Sequence, residues 1–521
     1  MKVKRSRVPR TMKSVLAALL LPVAACGGAN TASGVESGGS GTPKRGGTLI
    51  YAMNVDVRTL DPVICSIQGW ERCQPIYGTL LNYNHERQRF EPGMAESFES
   101  SDGKEWTLKL REGVKFTDGT PFDAEAVAFN WDRVRDPKNL SPAADIVADL
   151  KWEVVDPLTL KVTSKKPNFQ LPWALHQGLS MIGSPTAIKS KGADFGNEPV
   201  GAGPFVLKEW TRNTQLVYER NPGYWDQPRP YADRYVIKVI PADDQRLNAL
   251  RTGEINMMWT LVTSYVQKAE KEGFVKHELP LVGGTGLQMN MRDEHLKDPR
   301  LRLAIAKLLN PEQINAAVYP GDTAPDAFFY PGPYRDDSYG KYPERDVPGA
   351  QRLIDEYLAE IGKDSLTLRF TTYAGIPLLE QVAQLMQAQL QEAKGLKVEL
   401  VPVDSVTLSR DIAARNYQMV MGAALIQQHD GIYKFFHSKG SQNSTGYANP
   451  KVDEALERTR TSDDPEEVRK AYQVVNGEIS KDGPLRIWRY QAGRIMTPKY
   501  IKGIEITFMA ATPIEKVWID K

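Results

Sequence analysis

Trp106-Thr107-Leu108-Lys109-Leu110-Arg111-Glu112-Gly113-Val114-Lys115-Phe116, then Asp118-Gly119-Thr120-Pro121-Phe122-Asp123-Ala124-Glu125-Ala126-Val127, is the stretch on which the fold turns. Trp106, Leu108 and Leu110 alternate with polar residues, as one face of a half-buried strand requires. Asp118-Gly119 supplies a turn, because an aspartate side chain bonds nearby backbone and glycine tolerates positive φ. Asp123 then caps a helix whose Val127, Trp131 and Val134 share a face. These residues hold a fold together and contain no reacting groups.

Outward from this stretch the chain reads as mixed α and β, without an internal repeat. Further strand signals lie at Thr48–Ala52, Leu216–Glu219, Tyr235–Ile240, Leu366–Phe370 and Lys397–Val401. Helix starts are marked by an N-cap followed by proline at the first helical position: Asp298-Pro299, Asn310-Pro311, Asn449-Pro450 and Asp464-Pro465. A helix is expected over 378–393, with Leu378, Val382, Leu385, Met386 and Leu390 on one side. From Leu366 the order is strand, helix, strand, helix, strand, an α/β lobe.

The amino terminus has a different character. Six basic residues between Lys2 and Lys13 precede the apolar run Val15–Val23 and two small residues, Ala24 and Ala25. This is a secretory signal layout, 1–25. Cys26 directly follows the small pair and resembles the lipobox position at which a thiol is acylated. The plainer alternative is an ordinary cleaved signal with Cys26 there by coincidence. Residues 26–44 form a Gly/Ser/Thr-rich flexible tether. The whole chain carries +2, but residues 1–25 hold six positive charges and no negative ones, so the remainder is −4. That excludes a basic surface for nucleic acid. Cys65 and Cys73 remain; export favours a disulfide between them, worth about 2.5 kcal/mol, against two buried free thiols.

The segment Pro92–Val134 resembles the signature region of the family 5 solute-binding proteins of ABC importers, the group of dipeptide, oligopeptide and nickel receptors. Pro92-Gly93-Met94-Ala95-Glu96-Ser97 opens it and the residues quoted above complete it. Further landmarks follow in order: Val200–Phe205, Arg220–Trp225, Gly253–Asn256, Met289-Asn290-Met291 and Asp298–Leu309. The resemblance implies an α/β, two-lobed hinged ("Venus flytrap") periplasmic-binding-protein fold with an extra third domain. Domain I would comprise 45–86, 200–283 and 489–521, domain II 87–199, and domain III 284–488. It implies a monomeric receptor without cofactor or bound metal, anchored by lipidated Cys26 to the outer face of the cell membrane, in a periplasm or at a cell surface. Such a receptor closes over a peptide or peptide-sized solute and passes it to permease subunits served by ATPases.

The resemblance also implies four linings for a ligand pocket. These are the loop 65–73 with Gln68 and Trp70; Trp259 and Thr260; Gly283–Gln288, including Thr285 and Gln288; and Trp488-Arg489-Tyr490. Arg489 offers a donor fork for a carboxylate, or else a salt bridge between lobes. Peptide receptors of the family place an aspartate in domain III against the peptide's ammonium. Here that position falls on Gln427 or Gln428, with Asp430 able to substitute if the loop shifts. A glutamine accepts a hydrogen bond from an ammonium but cannot neutralise it. The ligand is therefore expected to be a peptide or a neutral or carboxylated compound, a nickel chelate being a further option.

Other classes are weaker. Gly178-Leu179-Ser180-Met181-Ile182-Gly183 misses the spacing of a hydrolase elbow, and no phosphate-binding loop is present. The six histidines lack metal-binding spacing. A sensing lipoprotein uncoupled from import remains as an alternative.

Overall fold

A computed structural model describes residues 41–85, 87–426, 430–507 and 511–521, with the side chains of residues 66–68 outside that description. Cys26, Gln427 and Gln428 lie outside the described residues, as does the side chain of Gln68.

The signature stretch folds as its pattern dictates. Strand Glu105–Leu110 buries Trp106, Leu108 and Leu110 and exposes the residues between them. Asp118 accepts the amide of Thr120 (3.0 Å), closing the turn. Asp123 accepts the amide of Ala126 (2.9 Å) and starts helix Ala124–Arg135, whose Val127, Trp131 and Val134 enter the same core. A four-stranded antiparallel sheet orders these strands as Ala95–Glu99, Glu105–Leu110, Thr159–Ser164 and Leu150–Asp156.

A second, ten-stranded sheet runs through the rest of the molecule. One half is the strand order Phe205–Thr211, Gln215–Arg220, Arg234–Val239, Thr48–Met53 and Met257–Trp259. The opening strand Thr48–Met53 lies between two parallel partners from far along the chain. The other half is Leu396–Val403, Leu366–Tyr373 and Met419–Ile426, paired parallel. Two long antiparallel strands, Val275–Met289 and Leu485–Thr497, join the halves. The proline-marked helices begin where their caps lie: Asp298, Asn310, Asn449 and Asp464 each accept a backbone amide of the first turn. The helix expected over 378–393 spans Pro377–Leu390 and covers one face of the second half.

Candidate functional site

The two long strands change register where they cross between the halves. Pairing runs from Val275↔Thr497 to Pro280↔Ala492, slips, and resumes at Gly284↔Tyr490. Glycine is needed here. Gly283 has φ +82, and a Cβ on it would sit 2.4 Å from the Ala424 carbonyl oxygen; on Gly284 it would sit 2.1 Å from that of Arg489. The backbones approach too closely for any side chain.

Around this crossover the expected site residues divide into engaged and unengaged groups. Arg489 is buried, paired with Asp322, donates from Nη2 to the Leu261 carbonyl (2.7 Å) and stacks over Tyr319 at 4.2 Å. Its fork is occupied within the protein, as in the salt-bridge alternative for Arg489. Freeing it would strand Asp322 as a buried unpaired charge. Tyr490 bonds through its hydroxyl with the carbonyls of Ala327 and Phe329 (both 2.9 Å), and its ring meets Tyr330 edge-on at 5.2 Å. Thr260 is fully buried and donates to Asp243 (2.6 Å), a structural bond. Thr285 accepts from Gln491 (3.4 Å).

The tryptophans take core positions, the alternative to lining a cleft. Trp488 lies in the core beneath helix Pro299–Leu308, and Trp70 in the core around the opening strand, each at most 2 % exposed. Large apolar area drives both inward, away from a ligand. Trp259 belongs to the same core as Trp70, with its indole N–H unpartnered and its carbonyl accepting from Arg246 (3.0 Å). Cys65 and Cys73 are disulfide-bonded, Cα atoms 6.3 Å apart, between two short helices rather than in an open loop.

Asp430, the residue expected to stand in if the loop shifts, is paired in this structure. Both its oxygens accept from Arg460 (2.7 and 3.1 Å), whose guanidinium also stacks on Tyr433 at 3.5 Å. The Asp430 charge is already neutralised.

Gln288 behaves differently. It is 5 % exposed, and its Oε1 has no hydrogen-bond partner among the described residues. It forms part of the floor of a cavity of about 350 Å³ bounded by helix Ser405–Ala414, the cap residue Arg415, Phe435 and the loop Ser441–Ser444. That volume is at the lower end of the roughly 300–1,000 Å³ usual for small-molecule pockets. Of the residues lining this cavity the sequence reading includes Gln288; Arg415, Ser409, Phe435 and the 441–444 loop carry no motif. The available signal was the small run Gly422-Ala423-Ala424, too slight to fill the space over its strand.

The cavity rim touches another part of the chain. Ser441 donates to Asp145 (3.4 Å), and Lys434 pairs with Asp145 at 2.9 Å. Nearby, the Phe169 amide bonds to the Arg460 carbonyl (2.7 Å) and Gln170 to that of Thr459 (2.9 Å). Above the same seam, Tyr83 packs on Trp173 at 4.1 Å, and its hydroxyl is pushed up to about 12 by burial and by Tyr334.

The chain matches the family described as "Bacterial extracellular solute-binding proteins, family 5 Middle" over residues 89–446. It belongs to that family. Family membership makes it a solute receptor, not an enzyme. Among curated relatives it is similar to the glutathione-binding protein GsiB of Shigella flexneri, 26% identical over 84% of this chain and 87% of the relative. Among solved structures, the ABC transporter substrate-binding protein CtaP of Listeria monocytogenes superposes with a TM-score of 0.77 at 22% identity, over 92% of this chain and all of the other. The periplasmic binding protein DppA of Helicobacter pylori, in complex with the peptide STSA, gives 0.75 at 24%, over 92% and 99%. These likenesses establish the two-lobed α/β fold. Among the described residues no helix is long and apolar enough to cross a membrane.

Proposed function

We propose that this chain is a lipid-anchored receptor that captures a peptide or peptide-sized organic solute between its lobes and delivers it to an ABC permease. The observation that carries the reading is the family match along 89–446, joined to a strand crossover that slips at Gly283-Gly284. A paired crossover with two closely spaced register shifts, Pro280/Gly284 and Thr285/Gly286, is a natural hinge, since few bonds need change when the halves rotate. Domain I is proposed as 45–86, 200–283 and 489–521, domain II as 87–199 and domain III as 284–488. The separate four-stranded sheet and its own core favour that division. The names of GsiB and of the peptide-bound DppA favour a small peptide or related solute.

Anchoring at Cys26 is part of the same proposal and rests on the sequence before and after it. Cys26→Ala should release the protein from the membrane fraction. Deleting the gene should abolish uptake of the bound solute, and unchanged uptake would count against import. Small-angle scattering should show a smaller radius when solute binds; an unchanged radius would contradict closure.

A second reading, a solute without a free ammonium, is favoured by the Asp430–Arg460 pair, which leaves that carboxylate no charge to offer.

A further inference from the structure

We infer that the cavity over Gly422 is where the receptor reads a carboxylate on its solute, with Arg415 as the cationic partner and Gln288 as acceptor for a neighbouring N–H. This rests on the receptor reading above and goes further by naming the chemical class: an acidic solute bearing an amide-type donor and a modest apolar group.

Three observations converge. First, Arg415 carries the only formal charge on the described cavity wall; no carboxylate lines it, and Arg415 makes no ion pair among the described residues. An ammonium entering this space would meet repulsion and no counter-charge, whereas a carboxylate would find a fork-shaped donor. Second, Arg415 holds a left-handed backbone, φ +61, at the end of helix Ser405–Ala414. Glycine or asparagine fits such a cap with less strain, so the backbone does not account for an arginine there. Third, the Gln288 acceptor is buried without a partner, a costly arrangement that an N–H from the solute would relieve.

The Gln288 side chain is seated on the bare backbone of Gly422. A Cβ on Gly422 would lie 2.6 Å from Cδ of Gln288, so any larger residue would push that amide aside. Ile412 and Phe435 supply apolar wall. The rim residue Ser441 reaches Asp145 across the seam, and Lys434 neutralises Asp145. The cavity mouth therefore lies at the seam, where closure of the lobes would cover a bound solute.

The test uses the full mature chain and a mixed-sequence library of N-acetylated tripeptides, made once as free acids and once as C-terminal amides. Native mass spectrometry identifies bound species, and calorimetry measures the best binder in both forms. The acid should bind about tenfold or more tightly than its amide. Arg415→Asn, which suits the left-handed backbone, should remove that preference while leaving the amide's affinity unchanged. Arg415→Lys should restore part of it. Arg410→Asn, on the exposed side of the same helix and paired with Asp411, should change neither. Equal affinity for acid and amide, or an equal loss for both in Arg415→Asn, would overturn the inference alone. No saturable binding of any library member would overturn the receptor reading, and the inference with it.

Discussion

The crossover strands and the cavity over Gly422 adjoin in one sheet, yet they treat their polar groups in opposite ways. At the crossover nearly every charge has a partner: Arg489 with Asp322 and Leu261, Arg494 with Glu278 at 2.5 Å, Tyr490 with two carbonyls. In the cavity, among the described residues, the buried Gln288 acceptor has no partner and the exposed Arg415 side chain makes no ion pair. A saturated region holds two halves in a defined relation, and an unsaturated one has bonding capacity left for something else. The arginine that looked most ligand-like in the sequence belongs to the first kind.

The largest effect should come from breaking the crossover. Arg489→Ala leaves Asp322 buried and unpaired, and should cost about 3–5 kcal/mol by chemical denaturation. If the comparison is right, the same variant keeps the preference for acid over amide so long as it folds. A smaller effect follows from reduction of Cys65–Cys73, about 2.5 kcal/mol in stability. Thiol counting under denaturing, non-reducing conditions should find neither of these two cysteines reactive.

Acid should separate the two regions further. Burial pushes the His277 imidazole down to about 4, where it bonds Thr497 across the crossover at 3.0 Å. The folded protein holds it neutral while the unfolded chain takes a proton near pH 6.5. Stability from this group is therefore complete above about pH 6.5 and is lost as pH falls toward 4. Allowing for partial exposure, the loss is about 1–2 kcal/mol. His277→Gln should flatten that slope in a denaturation series. Among the described residues the cavity wall carries no histidine or carboxylate, so affinity for an acidic solute should hold through the upper part of that range.

The smallest change is expected at the seam. Lys434→Ala removes a part-exposed pair with Asp145 and should alter stability by less than about 1 kcal/mol. Its readout is scattering, where the liganded form should show a slightly larger radius than the unaltered protein. An unchanged radius would show that the pair does not help hold the lobes together.

Much of the fold was legible because local rules were obeyed. The strand at Glu105–Leu110, the Asp118-Gly119 turn and the proline-marked helices needed only alternation, turn chemistry and caps. The pocket was less legible. Trp70, Trp259 and Trp488 suggested ligand contact by type, but an indole serves a core as well as a cleft, and only packing shows which. Asp430 looked available until Arg460, thirty residues later, was found against it. Arg415 had no signal at all: a lone arginine after a helix is common, and its meaning comes from what surrounds it.

The sequence by itself determined the family, the α/β class and the positions of most elements, because periodicity and capping act over a few residues. It also carried the cationic, apolar and small-residue order that ends at Cys26. Tertiary structure alone decided that strands as distant as Thr48–Met53 and Leu396–Val403 share one sheet, and which charges met partners. Those outcomes depend on contacts between residues hundreds apart. Such contacts satisfied Arg489 and, among the described residues, left the Gln288 acceptor unpartnered and Arg415 exposed without an ion pair.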